Sequence, residues 1–529
     1  MEEKDVNVLQ RRAELQSTEV IRFGTALLFV VGIMMFTVVR GESLGIEGSI
    51  FVVVAAMVGA YMAMNIGAND VANNVGPAVG SGAITLGGAI LIAAVFEAAG
   101  AIIAGGSVAS TIRSGIINPD LIPDPETFMW VMLAALLAAA LWINLATASG
   151  APVSTTHSIV GAVLGAGVAS SGLGVANWDV LGRIAASWLI SPVMGGAIAA
   201  ALLYFIKRRI TYQQDLTGAA CRWVPVLIGG MAFATVTYLV TKGLSKVVEI
   251  STLQAYGLGL IAAVVTYLLV RPLIQKRRSR IENSKRGVNR LFTIPLVFAA
   301  AMLSFAHGSN DVANAIGPLA AIVEVVSSGG AEIAVSAPIP LWVLVIGGLG
   351  LSVGLWLYGP KIIRTVGTEI TDIDRMRAYC IAMAATITVL IATQLGLPVS
   401  TTHVTVGAVF GVGFLREYLK SSYDRKLRDI EEHHHASNQA EIDAFMRRWQ
   451  KATVREKGEM LAELKRQSKK RRDEALFTKK ERKSLRSVYR RQLVKRSMVL
   501  RIVAAWIITV PMSAAIAALV FFMIRGMLI

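Results

Sequence analysis

Cysteine is nearly absent from this chain. Its 529 residues include two, Cys221 and Cys380, both in or beside apolar segments and neither with a metal-ligating neighbour. That supports neither a disulfide framework nor a cysteine metal site. Charge is scarce as well. Asp, Glu, Lys and Arg make up 16% of the residues, against about 25% in an average soluble domain. With 54% hydrophobic residues and a mean hydropathy of +0.58, the chain is polytopic and membrane-embedded rather than soluble. There is no nucleophile elbow, nucleotide-binding loop or duplicated metal cluster, so no motif points to an enzyme. The net charge of +17 is concentrated in a few basic loops and one long segment near the C-terminus. Such local excess is the positive-inside bias of a membrane protein, not a nucleic-acid-binding face. The first apolar run, Ile21–Val39, lacks a small-residue cleavage pattern and reads as a retained helix.

What is present is present twice. Gly67-Ala-Asn-Asp-Val-Ala-Asn-Asn-Val-Gly-Pro77 recurs as Gly308-Ser-Asn-Asp-Val-Ala-Asn-Ala-Ile-Gly-Pro318, with Asp70 and Asp311 241 positions apart. Gly150-Ala-Pro-Val-Ser-Thr-Thr-His157 recurs as Gly396-Leu-Pro-Val-Ser-Thr-Thr-His403, at a spacing of 246. A third echo, Arg183-Ile-Ala-Ala-Ser-Trp188 and Arg501-Ile-Val-Ala-Ala-Trp506, is 318 apart because residues 417–498 are inserted in the second half. Three echoes in the same order define an internal repeat.

The repeat's sense follows from loop charge. Arg11, Arg12 and Arg22 precede the first span and Glu42 and Glu47 follow it, which places the N-terminus in the cytoplasm. The loops at Lys207–Arg209 and Lys276–Arg290 are strongly basic and assigned inside. The first half then starts outside near Ser49, the second inside at Leu291, and the C-terminus lies outside. Matching parts of opposite orientation make an inverted-topology repeat. The expected fold is all-α, with about 11–13 transmembrane segments and broken or re-entrant helices. One break is placed at Gly76–Gly82, where Gly and Pro crowd after the first motif. The expected divisions are a tail with an added helix (1–48), the first repeat (49–210) and linking helices with a basic loop (211–290). The second repeat (291–415), a charged cytoplasmic insertion (416–498) and a last helix completing that repeat (499–529) follow. The insertion's His433-His-His435 is a weak metal-binding signal.

The motifs suggest a division of labour. Acids are expensive at membrane depth, so Asp70 and Asp311 mark a functional site. Their carboxylates, with Asn69, Asn73, Asn74, Asn310 and Asn314, are hard oxygen donors suited to Na+ or a proton. Proline followed by Ser-Thr-Thr writes a helix start, whose free first-turn N–H groups bind anions. Ser154, Thr155, Thr156, Ser400, Thr401 and Thr402 add six hydroxyls around one tetrahedral oxyanion. An anion entering a negative-inside cell needs co-transported cations. Glu97, alone on the apolar span Leu86–Ala104, is either a proton or cation site or a buried neutral acid. His157 and His403 can assist the anion, take up a proton or serve as structural residues. His307 is equally open.

These motifs resemble the inorganic phosphate transporter (PiT) family of phosphate symporters. The resemblance runs from about Ser49 to the C-terminus and includes Phe96-Glu-Ala-Ala-Gly100 and Gly396-Leu-Pro398. It implies inverted repeats with a phosphate site between them. Asp70 and Asp311, with Asn73 and Asn314, would hold sodium. The two Ser-Thr-Thr triplets, helped by Asn69 and Asn310, would hold phosphate. It also implies a homodimer in the cell's inner membrane, no cofactor, and Na+ as the coupling ion of a secondary-active importer. The chain departs from the family pattern in its added N-terminal span, in the position of its long loop, and at Ala382, where some relatives carry glutamate. A proton-coupled carrier of phosphate, metal–phosphate or sulfate, and a passive anion channel, are the alternatives.

Overall fold

The computed structural model describes residues 3–44, 49–148, 153–246, 248–329, 338–369, 373–432 and 496–528. His433–His435 and most of the charged insertion lie outside these. Among the described residues the chain is almost wholly helical, with one isolated bridge between Ile117 and Ala176. Ten helices are long and apolar enough to cross a membrane, or eleven if the pair Lys285–Leu291 and Thr293–Ser327, bent by 42°, counts as one span.

The helices run α1 (Glu3–Leu44), α2 (Ser49–Gly80), α3 (Leu86–Ala104), the short α4 (Gly106–Ser110), α5 (Pro125–Ala148), α6 (Thr155–Ser171) and α7 (Trp178–Ile206). Next come α8 (Leu216–Lys242), α9 (Thr252–Lys276), α10 (Lys285–Leu291), α11 (Thr293–Asp311) and α12 (Ala313–Ser327). Last are α13 (Leu341–Glu369), α14 (Arg375–Gln394), α15 (Thr401–Glu432) and α16 (Arg496–Leu528). Polar caps set many of the starts. Thr85, Asn177, Asp215, Ser251 and Asp374 each accept the amide of the residue three further on, satisfying donors that a helix end leaves open.

The break expected at Gly76–Gly82 comes at the end of that stretch. Gly76 and Pro77 sit inside α2, and the chain turns only at Ser81–Ile84, with Gly82 at φ +67°. α2 is therefore 32 residues long, about 48 Å at 1.5 Å per residue, well beyond the ~30 Å hydrocarbon core. In the second copy the helix does interrupt at the motif: α11 ends at Asp311 and α12 begins at Ala313.

α6 has 17 residues, short of the ~20 needed to span. It folds back on α5 as a hairpin. The Ile117–Ala176 bridge and the Asn118 N–H to Val175 carbonyl bond (2.8 Å) tie the strand before α5 to the turn after α6, so both hairpin ends share one side. α14 and α15 pack as a second hairpin.

Packing is closest where glycines let backbones touch, and each close contact is made twice with the halves exchanged. Gly67 and Gly354 bring α2 and α13 together at the carbonyls of Leu351 and Met64. Gly308 and Gly100 do the same for α11 and α3 at those of Glu97 and Phe305. Gly161 and Gly165 seat α6 on α16, while Gly407 and Gly411 seat α15 on α7. Small residues are what membrane helices use for such approaches. Each contact joins an element of one half to an element of the other.

Two apolar cores result. One gathers the first part of α2, α5, α6, α12, the start of α13 and the end of α16. The other gathers the rest of α2 with α3, α7, α8, α11, α14 and the start of α15. α2 passes from the first to the second between Ile66 and Val71, and α11–α12 passes the other way between Ala306 and Val312. Asp70 and Asp311 stand at these two crossings.

Arg113 lies in a π-helical turn, Thr111–Gly115, paired with Glu324 of α12 at 3.1 Å in a nearly buried setting. Removing one member of a buried pair strands the other's charge. Arg113→Met should lower stability by about 3–5 kcal/mol, and the double change Arg113→Met with Glu324→Leu should recover most of it, read as thermal unfolding in detergent. A Cβ on Gly67 or Gly308 would enter neighbouring backbone, whereas one on Gly76 meets nothing within 4 Å. Gly67→Ala and Gly308→Ala should each cost about 1–3 kcal/mol. Gly76→Ala should leave stability unchanged or raise it by up to about 1 kcal/mol.

Candidate functional site

The four motifs converge on one buried cluster. Asp70 and Asp311 come from α2 and α11, and the tips of the two hairpins bring Thr155, Thr156, Thr401 and Thr402 between them. All are buried. Thr155 Oγ1 donates towards Asp70 Oδ2 (3.1 Å) and lies 3.4 Å from Asp311 Oδ2, touching both acids. Thr401 Oγ1 donates to Asp311 Oδ2 (3.1 Å) and Thr402 Oγ1 to Asp70 Oδ1 (2.8 Å).

The asparagines complete the weave across the halves. Asn73 Nδ2 donates to Asp70 Oδ1 (3.1 Å) and to Thr402 Oγ1 (2.8 Å). Asn314 Nδ2 reaches Thr156 Oγ1 (3.2 Å) and Thr155 Oγ1 (3.4 Å). Asn69 and Asn310 hold the hairpins instead. Asn69 Nδ2 donates to Thr147 Oγ1 at the end of α5 (2.7 Å), and Asn310 Nδ2 to Thr393 Oγ1 at the end of α14 (2.9 Å). Asn310 also pins the second tip, donating to the Leu397 carbonyl and accepting from the Val399 N–H.

Ser154 and Ser400 act first as helix caps. Each hydroxyl oxygen accepts the amide three residues on, from His157 (3.1 Å) and His403 (3.3 Å). A hydroxyl so used still has its own O–H to donate. Thr156 Oγ1 donates to the Val399 carbonyl (3.0 Å), so the two tips touch directly. The threonines thus have a double character. With their protons on the carboxylates, their remaining lone pairs suit a cation; turned away, the same O–H groups suit an oxyanion.

Glu97 is not isolated. It accepts from Asn74 Nδ2 (2.7 Å), and its Oε1 is 3.3 Å from His307 Nδ1. The other ring nitrogen, His307 Nε2, lies 3.3 Å from Asp311 Oδ2 and 3.8 Å from Asp70 Oδ2. His307 therefore links all three acids, and the sequence reading had left its role open. A signal was there: His307 precedes Asp311 by four residues, which on a helix puts both on one face. Asn74, grouped by sequence with the donors around Asp70, turns its amide to Glu97 instead.

His157 and His403 take another place. Their rings meet edge to face with centroids 4.5 Å apart, and Trp188 lies 3.8 Å from His157. Trp188 Nε1 also donates to the Pro398 carbonyl (3.2 Å). They pack where the hairpin tips meet, not on the carboxylates. Ala382 is buried in the second core.

A cluster with two acids, several hydroxyls and two adjacent helix starts can hold small cations beside an oxyanion. The sequence pattern of the phosphate transporter family matches residues 66–517, which take in all four motifs. Two proteins of Helicobacter pylori, from strains J99 and 26695 and each named "Putative phosphate permease", are 47% identical over 526 residues, covering 98% of this chain and 98% of theirs. A solved structure called "The sodium-dependent phosphate transporter" matches with a TM-score of 0.72 and 31% identity, over 90% of this chain and 99% of that one. The chain is a transporter rather than an enzyme, and it belongs to the phosphate transporter family.

Proposed function

We propose that the protein is a secondary-active importer that couples phosphate entry to Na+ by alternating access between two inverted repeats. The observation that supports it best is the meeting of Asp70 and Asp311 with both Ser-Thr-Thr helix starts at the junction of the two cores. Supporting the choice of ion, the groups around the two acids are mainly hydroxyls and carboxamides, which carry hard oxygens, and the matched solved structure is described as sodium-dependent. In this reading the N-terminus is cytoplasmic, the C-terminus external, and the protein works as a homodimer in the inner membrane.

The proposed coupling follows from the threonines. Two carboxylates a hydroxyl apart repel each other and any phosphate. Na+ at Asp70 with Asn73, and at Asp311 with Asn314, cancels that charge. Thr155, Thr401 and Thr402 then no longer need to donate to the acids, and their O–H groups can turn to phosphate. Phosphate rests on the first-turn N–H groups of α6 and α15, with Ser154, Thr156 and Ser400 at the rim. Asn69 and Asn310 keep the two tips in register. Moving one negative charge inward against the membrane potential costs about 2.3 kcal/mol per 100 mV, which entering cations offset.

The test is labelled phosphate uptake into proteoliposomes with an imposed Na+ gradient. Uptake should follow the Na+ gradient, and Asp70→Asn or Asp311→Asn should abolish it while membrane insertion is kept. Uptake driven only by a pH gradient would move coupling to protonation, and flux that ignores both gradients would make the protein a channel. Loss of a hydrogen bond to a charged group is worth about 1.5–3 kcal/mol. Thr401→Val should therefore raise the half-saturating phosphate concentration about tenfold or more, with Thr401→Ser near wild type. Full uptake by either aspartate variant, or an unchanged half-saturation in Thr401→Val, would remove the assigned roles.

A further inference from the structure

One ring breaks the two-fold pattern of the cluster. His307 stands where the first motif has Ile66. Glu97 stands where the matching helix has Leu351, since Gly308 packs on the Glu97 carbonyl as Gly67 packs on that of Leu351. The second copy thus carries an imidazole, and the facing helix a carboxylate, that the first pair lacks, both fully buried. A sodium site needs oxygens alone. A nitrogen aimed between two carboxylates calls for another explanation.

The ring is held among charges without completing a hydrogen bond. Neither nitrogen of His307 has a hydrogen-bond partner, although carboxylate oxygens lie 3.3 Å from each. Asp311 Oδ1 and Asn314 Oδ1 are also buried without one. Asp70, His307 and Asp311 each offer a donor atom, all within 4.8 Å of one another. An ion about 2.0–2.2 Å from each donor in tetrahedral geometry would hold them about 3.4 Å apart. The 3.3 and 3.8 Å separations from His307 Nε2 bracket that value. Imidazole with carboxylates favours first-row divalent ions, and a metal-bound histidine normally turns its other nitrogen to a carboxylate. Glu97 occupies that second position and is itself fixed by Asn74.

We propose that Asp70, Asp311 and His307 form a site for a first-row divalent cation, with Zn2+ the best fit, backed by Glu97. The proposal rests on the reading of the two aspartates as the cation site. A divalent ion there cancels both carboxylates at once, competes with Na+ and blocks transport while bound. It bridges α2 and α11, which cross between the two cores, so it also locks the site in one arrangement.

The experiment uses the full chain, purified in detergent, carrying His433→Ala, His434→Ala and His435→Ala so that this histidine run cannot bind the probe. Zn2+ is titrated calorimetrically in phosphate-free, Na+-free buffer. One ion per chain should bind, and added Na+ should weaken it in proportion. His307→Gln should weaken binding about 100-fold or more, and Glu97→Gln about 10–100-fold, as loss of a carboxylate behind a ligand does. Co2+ in place of Zn2+ should give a visible absorption band that changes in His307→Gln and persists in His157→Ala. No saturable Zn2+ binding, binding indifferent to Na+, or unchanged affinity in His307→Gln would each overturn the proposal. The Na+ result needs no variant, so a His307→Gln protein that fails to fold leaves the test intact. Phosphate uptake without Zn2+ is measured in parallel. Zn2+ binding that Na+ weakens and His307→Gln abolishes, with no Na+-driven uptake, would uphold the metal site and remove the coupling reading. Na+-driven uptake without Zn2+ binding would do the reverse.

Discussion

Two carboxylates sharing one threonine hydroxyl, out of reach of water, are the constraint around which the rest is arranged. An isolated buried charge costs several kcal/mol even after relaxation. Asp70 and Asp311 place two side by side, joined through Thr155. The protein answers with donors from both halves: Thr401, Thr402 and Asn73 by hydrogen bonds, and His307 by proximity. These groups ease the repulsion without abolishing it. Two like charges held this close leave a negative potential at the junction of the two halves.

The position of the site has the same economy. Each aspartate lies where a long helix leaves one apolar core and enters the other. A boundary between two packed bodies is where relative movement strains fewest contacts. The hairpin tips meet there too, through Thr156 and the Val399 carbonyl. Asn69 and Asn310 hold the tips by equivalent bonds to Thr147 and Thr393, so both sides of the boundary are anchored alike.

Much of this was legible in the sequence because duplicated polar motifs in an apolar chain have few structural explanations. The acids, the helix starts and most of the spans could be read from residue types and spacing, and the motifs' resemblance to a known family pointed to the family. What could not be read depended on the third dimension. Gly76-Pro77 looked like a break, but proline is tolerated within a membrane helix when neighbours satisfy the freed carbonyl. Glu97 looked solitary because its partners, Asn74 and His307, are distant in sequence or belong to the other half. The pairing of Arg113 with Glu324, more than two hundred positions away, has no local signal at all. The Pro-x-Ser-Thr-Thr pattern already wrote two capped helix starts, and the bonds from the His157 and His403 amides to Ser154 and Ser400 are those caps.

The exchange of helices between halves has a consequence for how the protein is made. Gly161 and Gly165 of α6 pack on Val510, Ser513 and Ala514 of α16, about 350 residues later in the chain. At roughly 5–20 residues per second, synthesis leaves α6 without its glycine-seated partner for about 17–70 s. α2 waits likewise, though less long, for α13. The first half therefore enters the bilayer with its glycine faces uncovered and settles only when the second half arrives. Until α13 and α16 are made, those glycine faces lack the partners that fill them in the finished fold.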